Sequence, residues 1–266
     1  MQAFAYETPA SLADALKAAA NADAKLIAGG QSLLASMKLG LAAPEALIDL
    51  GKIESLKGIK VEPGKVTIGA GTTHAAVGAS AEVAKAIPAL AFLADNIGDR
   101  QVRNRGTIGG SLANNDPAAC YPAAVLGLGA TVHTDRRSIP ADQFFKGLYE
   151  TALGDDGKGA EIITSVSFPI PEKAGWQKFK NPASRFSLVG VFVSKGPAGT
   201  RVAVTGAAAC VMRVKALEDK LAASWTKEAC DGVKVDSAEL NSDLHGSAEY
   251  RAALIPVLAG RAVAAS

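Results

Sequence analysis

Two glycine pairs carry the most specific chemistry in the chain. One is Ala28-Gly29-Gly30-Gln31-Ser32. The other is Thr107-Ile108-Gly109-Gly110-Ser111, continuing through Asn114, Asn115 and Asp116 to Pro117. The first pair follows a run of strand character and precedes one of helical composition. A turn in that position aims backbone N–H groups at an anion, and a helix N-terminus adds a favourable dipole. Glycine lets a pyrophosphate approach without a Cβ in the way, and Ser32 adds a hydroxyl donor. The second pair is set among hydrogen-bonding side chains, and Asp116-Pro117 can open the next turn or helix. Either pair alone could be no more than a tight turn. Gly29 and Gly109 are 80 residues apart, and two related loops at that distance point to a long, bent diphosphate ligand held between two subdomains.

Other chemistries find no footing. Ile68-Gly69-Ala70-Gly71 has a G-x-G after a strand, but no third glycine at the dinucleotide spacing and no clear helix start. Gly127-Leu128-Gly129 lies between a helix and a strand, the wrong order for a dinucleotide turn. No GxxxxGK[ST] and no G-x-S-x-G occurs. His74, His133 and His245 lack metal-ligand spacing and read as surface or satisfied histidines. Asp and Glu are scattered and form no acid/base pair. Cys120, Cys210 and Cys230 are far apart, which gives no disulfide framework and too few thiolates for an iron–sulfur cluster.

The elements that must position the loops follow from periodicity. PASLADALKAAA reads as a helix capped by Ser11, with Leu12, Ala15, Leu16 and Ala19 on one face. AKLIAGG reads as a strand ending in the first loop, QSLLASMKLGL as helical, and EALIDL as a second strand parallel to the first. Glu62-Pro63-Gly64-Lys65 predicts a hairpin turn before the alternating KVTIGA. Residues 82–97 predict a helix entered or broken at Pro88, and 98–122 a polar, glycine-rich region. AAVLGLGATVHT predicts a helix running into a strand. A strand, IITSVSFPIP, ends at Pro169 and Pro171, and the domain boundary is placed there, at residue 172. Beyond it, FSLVGVFVSK and RVAVTGAAACV predict two strands joined by Gly196–Gly199, then a helix at VKALEDKLA and an Ala-rich helical remainder containing Pro256.

The bulk numbers restrict the function further. A formal charge of +2 from 28 basic and 26 acidic residues gives no electrostatic case for nucleic acid or membrane binding. Arg100, Arg103 and Arg105 read as a solvated or interface face, or as a partner or phosphate contact beside the second glycine pair. No signal peptide and no membrane-length apolar run is evident, so a cytoplasmic protein is expected.

Three segments together, KLIAGGQSLLASMKLGL, QVRNRGTIGGSLANNDPAACYPAA and FKNPASRFSLVGV, resemble the FAD-binding medium subunit of molybdenum hydroxylases of the carbon monoxide dehydrogenase/xanthine dehydrogenase family. The likeness in order and spacing covers nearly the whole chain, with little of it in the last 50 residues. It implies an α+β fold: a FAD-binding domain of the vanillyl-alcohol-oxidase/p-cresol-methylhydroxylase type over residues 1–172, in subdomains of about 1–55 and 56–172, and a smaller C-terminal α+β domain over 173–266. Leu26, Ile27, Ala28, Gly29, Gly30, Gln31, Ser32 and Leu33 would wrap the FAD diphosphate. Thr107, Gly109, Gly110 and Ser111 would hold the second side of the cofactor, with Asn115 and Asp116 at the end of that loop. Ile97 would pack near the flavin, Ile163 would approach the cofactor from its strand, and Lys180 would approach the flavin ring, where a positive charge stabilises the anionic reduced form.

Two departures from the family pattern bear on the site. Gln31 stands where some members have histidine, so the FAD is expected to be noncovalent. Cys120 stands where some relatives have aspartate, which leaves it as a cofactor contact without the carboxylate or as a small core residue. The resemblance also implies that no residue here performs acid/base catalysis, because the flavin carries the chemistry. Molybdopterin-bound molybdenum and the iron–sulfur clusters would lie on a large and a small partner subunit, in a heterotrimer paired into a heterohexamer. Electrons would pass from the iron–sulfur subunit through FAD to a final acceptor. A stand-alone flavoenzyme of the same fold and a flavin-free interaction module are the alternatives.

Overall fold

The computed structural model describes residues 2–21 and 23–266. Strands Ala5–Glu7, Ala46–Asp49 and Ala24–Ile27 form a parallel sheet with Ala46–Asp49 in the centre. Parallel neighbours require crossovers, and the helices Leu12–Ala18 and Leu33–Lys38 supply them. Ser11 caps the first, its side chain accepting from the Asp14 amide. The central strand is covered on both sides: Ile48 packs with Ala15, and Leu47 with Met37. The parallel pair flanking the first glycine loop is thus present as the sequence predicts, with Ala5–Glu7 added at the edge.

The second sheet is antiparallel, in the order Ile59–Glu62, Lys65–Gly69, Ile163–Pro169, Thr131–Thr134, Ser138–Pro140. Glu62 pairs with Lys65 around Pro63-Gly64 as expected of that turn. Pro88 opens the helix Pro88–Asp95 at its first position, where proline's missing N–H costs nothing. The segment read as a polar loop region is largely helical. Asp99 caps Arg100–Arg105 by accepting from the Val102 amide, and Thr107 caps Ile108–Asn114 by accepting from the Gly110 amide. Glycine's helix penalty of ~1 kcal/mol is overridden by packing, because a Cβ on Gly109 would lie 2.6 Å from the Cβ of Ala70. A helix also starts at His74, capped by Thr73, where none was expected.

The third sheet runs Lys173–Lys180, Ser187–Gly196, Gly199–Thr205, Met212–Arg213, all antiparallel. Its first strand is absent from the sequence reading. Ser187–Gly196 reads as a continuous apolar run because both its faces are covered. Val189, Val191 and Val193 pack toward the helices Lys215–Ala223 and Ala248–Ala264, while Phe192 joins the core of the second sheet. That core gathers Val66, Leu90, Tyr121 and Phe168 together with Trp176, Phe192, Ala203 and Val211, so it does not stop at residue 172. The tail is less helical than its composition suggests: residues 231–247 are irregular before Ser247 caps the last helix, which keeps Pro256 inside it.

Candidate functional site

A cleft of about 890 Å³ draws its walls from the three sheets just described, near the upper end of ordinary small-molecule sites. Leu26 to Leu33 form one wall. Ile97, Thr107, Gly109, Gly110, Ser111, Asp116, Cys120 and Ile163 line the rest. The two glycine segments touch: a Cβ on Gly29 would lie 2.2 Å from the Arg105 carbonyl oxygen, and one on Gly110 would come within 3.9 Å of the Ala28 Cβ. Gly30 has φ +72°, a left-handed conformation that glycine adopts without penalty.

The segments divide the work unequally. Among the described residues, the amides of Gly29, Gly30, Gln31, Ser32 and Leu33 donate to no protein acceptor. Unpaired backbone donors at a binding cleft are available to a ligand. The amides of the second segment are already spent: Ile108 on Thr72 O, Gly109 on Ala70 O, Gly110 on Thr107 Oγ1 and Ser111 on Thr107 O. What it contributes is the bare Cα of Gly110, opposite Ala28, and the Ser111 hydroxyl. The Ile68-Gly69-Ala70-Gly71 segment is closed in the same way, Gly69 donating to Gly58 O, Ala70 to Thr164 O and Gly71 to Leu56 O.

The lining carries six lysines and arginines against three acids, and one of the acids is committed elsewhere. Glu161 takes a bidentate grip from Arg137 together with Thr134 Oγ1 and the Gly154 amide. Arg137 holds its carboxyl at about 2. Of the three clustered arginines, Arg105 lines the cleft, while Arg103 donates to Ile97 O and faces Asp95.

Two expected contacts are not on the lining. Asn115 is fully buried in a left-handed conformation (φ 42°), and its amide donates to Gly147 O and Glu150 O, which turns it to the protein. Lys180 stands outside, with Nζ donating to Asn96 Oδ1 beside Ile97. Lys178, two residues earlier on the same strand, does line the cleft, with Nζ 3.3 Å from Cys120 Sγ and 3.0 Å from Arg185 O. A register shift between Phe179 and Lys180 separates the two lysines. Cys120 is itself 5% exposed and also contacts Ser187 Oγ.

His74 is neither a surface nor a satisfied histidine. It lines the cleft at 5% exposure, Nδ1 has no partner among the described residues, and burial lowers it to about 4, with help from Arg103. His133 is satisfied, by Ser138 Oγ and Ser167 Oγ. No signal in the sequence marked His74 or Lys178, because both depend on which strand or helix face turns inward.

Residues 2–171 match the family described as the FAD binding domain in molybdopterin dehydrogenase. The chain belongs to the FAD-binding medium subunits of the molybdenum hydroxylases. It is 38% identical to the nicotine 6-hydroxylase medium subunit of Paenarthrobacter nicotinovorans, over 99% of this chain and 97% of the relative. It is 36% identical to the carbon monoxide dehydrogenase medium chain of Hydrogenophaga pseudoflava, over 99% and 96%. The solved carbon monoxide dehydrogenase of Hydrogenophaga pseudoflava that lacks the Mo-pyranopterin moiety superposes with a TM-score of 0.88 at 34% identity, covering 99% of this chain and 97% of that one. This medium subunit is therefore the FAD-carrying part of a multi-subunit oxidoreductase. The cleft suits that cofactor: five unpaired amides are available to a diphosphate, the glycines leave room beside them, and the lining has an excess of cations.

Proposed function

We propose that this subunit holds FAD noncovalently along the cleft and relays electrons from a small iron–sulfur subunit to a final acceptor. The observation that carries the reading is the run of five unpaired amides from Gly29 to Leu33, at the end of a strand and the start of a helix. They would donate to the diphosphate, with Gly110 and Ser111 closing over its other side. Ile97, Ile163 and Cys120 would border the rest of the cofactor, with Asp116 near the end of that wall. Lys178 would place a positive charge at the ring, and Lys180 would stand at the rim. When bound, FAD accepts electrons one at a time and releases them as a pair; the protein's part is binding, orientation and charge.

Residues 1–172 would form the cofactor-binding unit and 173–266 a C-terminal unit sharing its core. A large molybdopterin subunit would oxidise the substrate, and the heterotrimer would pair into a heterohexamer in the cytoplasm. Among the described residues no helix is long and apolar enough to cross a membrane.

The test is to co-express the chain with its genomic neighbours and record visible spectra before and after acid precipitation, with metal analysis. Flavin moving fully to the supernatant as FAD, with molybdenum and iron in the complex, is the expected result. Colour retained in the pellet would refute noncovalent binding, and a complex without flavin would refute the electron-relay role.

A further inference from the structure

Asp49 ends the central strand of the parallel sheet and lines the cleft. Its register partner is Ile27, two residues before Gly29. The two strands run the same way, so their C-terminal ends open on the same side. With strands ~4.8 Å apart and a rise of ~3.3 Å per residue, the Asp49 Cα stands on the order of 8 Å from that of Gly29. Allowing for the length of the aspartate side chain, this gap has the span of one ribose attached to a diphosphate on the loop.

The carboxylate is fixed but not exhausted. Oδ1 accepts from the Gly51 amide at 2.7 Å, and Oδ2 accepts from the Tyr6 hydroxyl. A carboxylate has about four lone-pair positions, so two acceptor positions remain. A ribose cis-diol supplies two O–H donors. The neighbouring lining adds Leu26, Leu50 and Leu56 as apolar surface for a base, and Lys25, Lys52 and Lys57 as cations.

The order of parts is strand, glycine loop, helix, parallel strand, acid, with Asp49 twenty residues beyond Gly29. Dinucleotide folds on parallel sheets place an acid ~20 residues beyond the glycine loop, on the ribose hydroxyls. The loop here has a different sequence. The juxtaposition recurs because any right-handed parallel crossover brings the end of its second strand beside the loop that ends its first.

We propose that Asp49 recognises the ribose hydroxyls of the adenosine half of the cofactor, held in place by Tyr6 and Gly51. This makes the site selective for a flavin dinucleotide over a mononucleotide, and hostile to a ribose carrying a 2′-phosphate. The inference rests on the FAD reading of the cleft.

The test uses the full chain freed of flavin and titrated with FAD and with FAD whose adenosine ribose lacks the 2′-hydroxyl. The wild type should prefer FAD by about tenfold or more. Asp49→Ala should weaken FAD about 10- to 100-fold, the range for hydrogen bonds to a charged group, and weaken the deoxy analogue far less, so the preference collapses. Asp49→Asn keeps an acceptor for Gly51 and should lose most of the preference while keeping the wild-type melting temperature. If both ligands weaken in parallel, or the preference survives in both variants, Asp49 only caps the turn Leu50–Lys52 and the proposal is overturned. Wild-type protein that takes up neither ligand would overturn the FAD reading and this proposal with it.

Discussion

Gly110→Val separates cofactor binding from folding. A Cβ at Gly110 meets only Thr107 Oγ1, at 3.0 Å, and Ala28 Cβ, at 3.9 Å. The added isopropyl group therefore projects between the two glycine segments, into the space that a phosphate must enter. Valine has a better helix propensity than glycine by a few tenths of a kcal/mol, which offsets the tight contact with the Thr107 hydroxyl. The stability of the flavin-free protein should change by less than about 1 kcal/mol, or roughly 2–4 °C in melting temperature for a chain of this size. Binding is another matter. Holding the diphosphate away from even two of the Gly29–Leu33 amides removes two charge-assisted hydrogen bonds worth ~1.5–3 kcal/mol each. Affinity for FAD should then fall by roughly 10² to 10⁴. Flavin-fluorescence titration gives the affinity, and thermal melts without FAD give the stability. Near-wild-type FAD affinity would refute the placement of the diphosphate. A collapse of the flavin-free melting temperature would refute the claim that Gly110 is bare for the ligand's sake.

Other changes should behave differently. Gly29→Ala puts a methyl group 2.2 Å from the Arg105 carbonyl, so it should lower flavin-free stability by several kcal/mol; an unaltered melting temperature would contradict the close approach of the two loops. Glu161→Gln weakens a half-buried ion pair with Arg137 and should lower stability at neutral pH. Because the Glu161 carboxyl is lowered from 4.5 to about 2, its contribution is complete above pH 4.5 and lost as the pH falls toward 2; acid unfolding curves that coincide for wild type and variant would rule this out. His74 is lowered from 6.5 to about 4, so the unfolded chain gains the proton first. Its stabilising effect is complete above pH 6.5 and declines toward pH 4, by ~3 kcal/mol at most. Denaturant titrations of His74→Gln should show that pH dependence reduced by close to one proton, and an unchanged dependence would show that His74 charges freely in the fold.

Much of the fold follows from local signals: Ser11 as a cap, the hairpin at Pro63-Gly64, the helix entry at Pro88 and the parallel pair around the first glycine loop. The helices at 100–114 escaped because glycine and polar residues argue against helix locally, while Asp99, Thr107 and the packing of Gly109 on Ala70 decide otherwise. The first glycine segment by itself reads equally as a tight turn, and only its pairing with the second points to a diphosphate. The unequal pairing of the two segments is not legible, since the second donates the Ile108 and Gly109 amides to the Thr72 and Ala70 carbonyls, a pairing set by tertiary contact. Asn115 and Lys180 illustrate the same limit. Hydrogen-bonding type marks Asn115 and the family resemblance marks Lys180; a left-handed backbone accompanies an Asn115 amide that donates to Gly147 O and Glu150 O, and a register shift precedes Lys180, whose Nζ donates to Asn96 Oδ1.

The core that runs past residue 172 bears on exchange between relatives. Ser194 Oγ donates to Gly127 O, Arg201 Nε donates to Leu126 O, and Thr205 Oγ1 donates to the carbonyls of Pro117 and Ala119. The C-terminal sheet is thus fastened to the helix Tyr121–Gly127 and to the stretch that leads from the second glycine segment into it. A chimera that joined residues 1–172 to another medium subunit's tail would have to match these polar anchors and the fit of Phe192 beneath that helix. The tail is less an appended module than a share of the same core and of the cleft's lining, through Lys178, Ser184, Arg185 and Phe186, and the two halves should diversify as a pair.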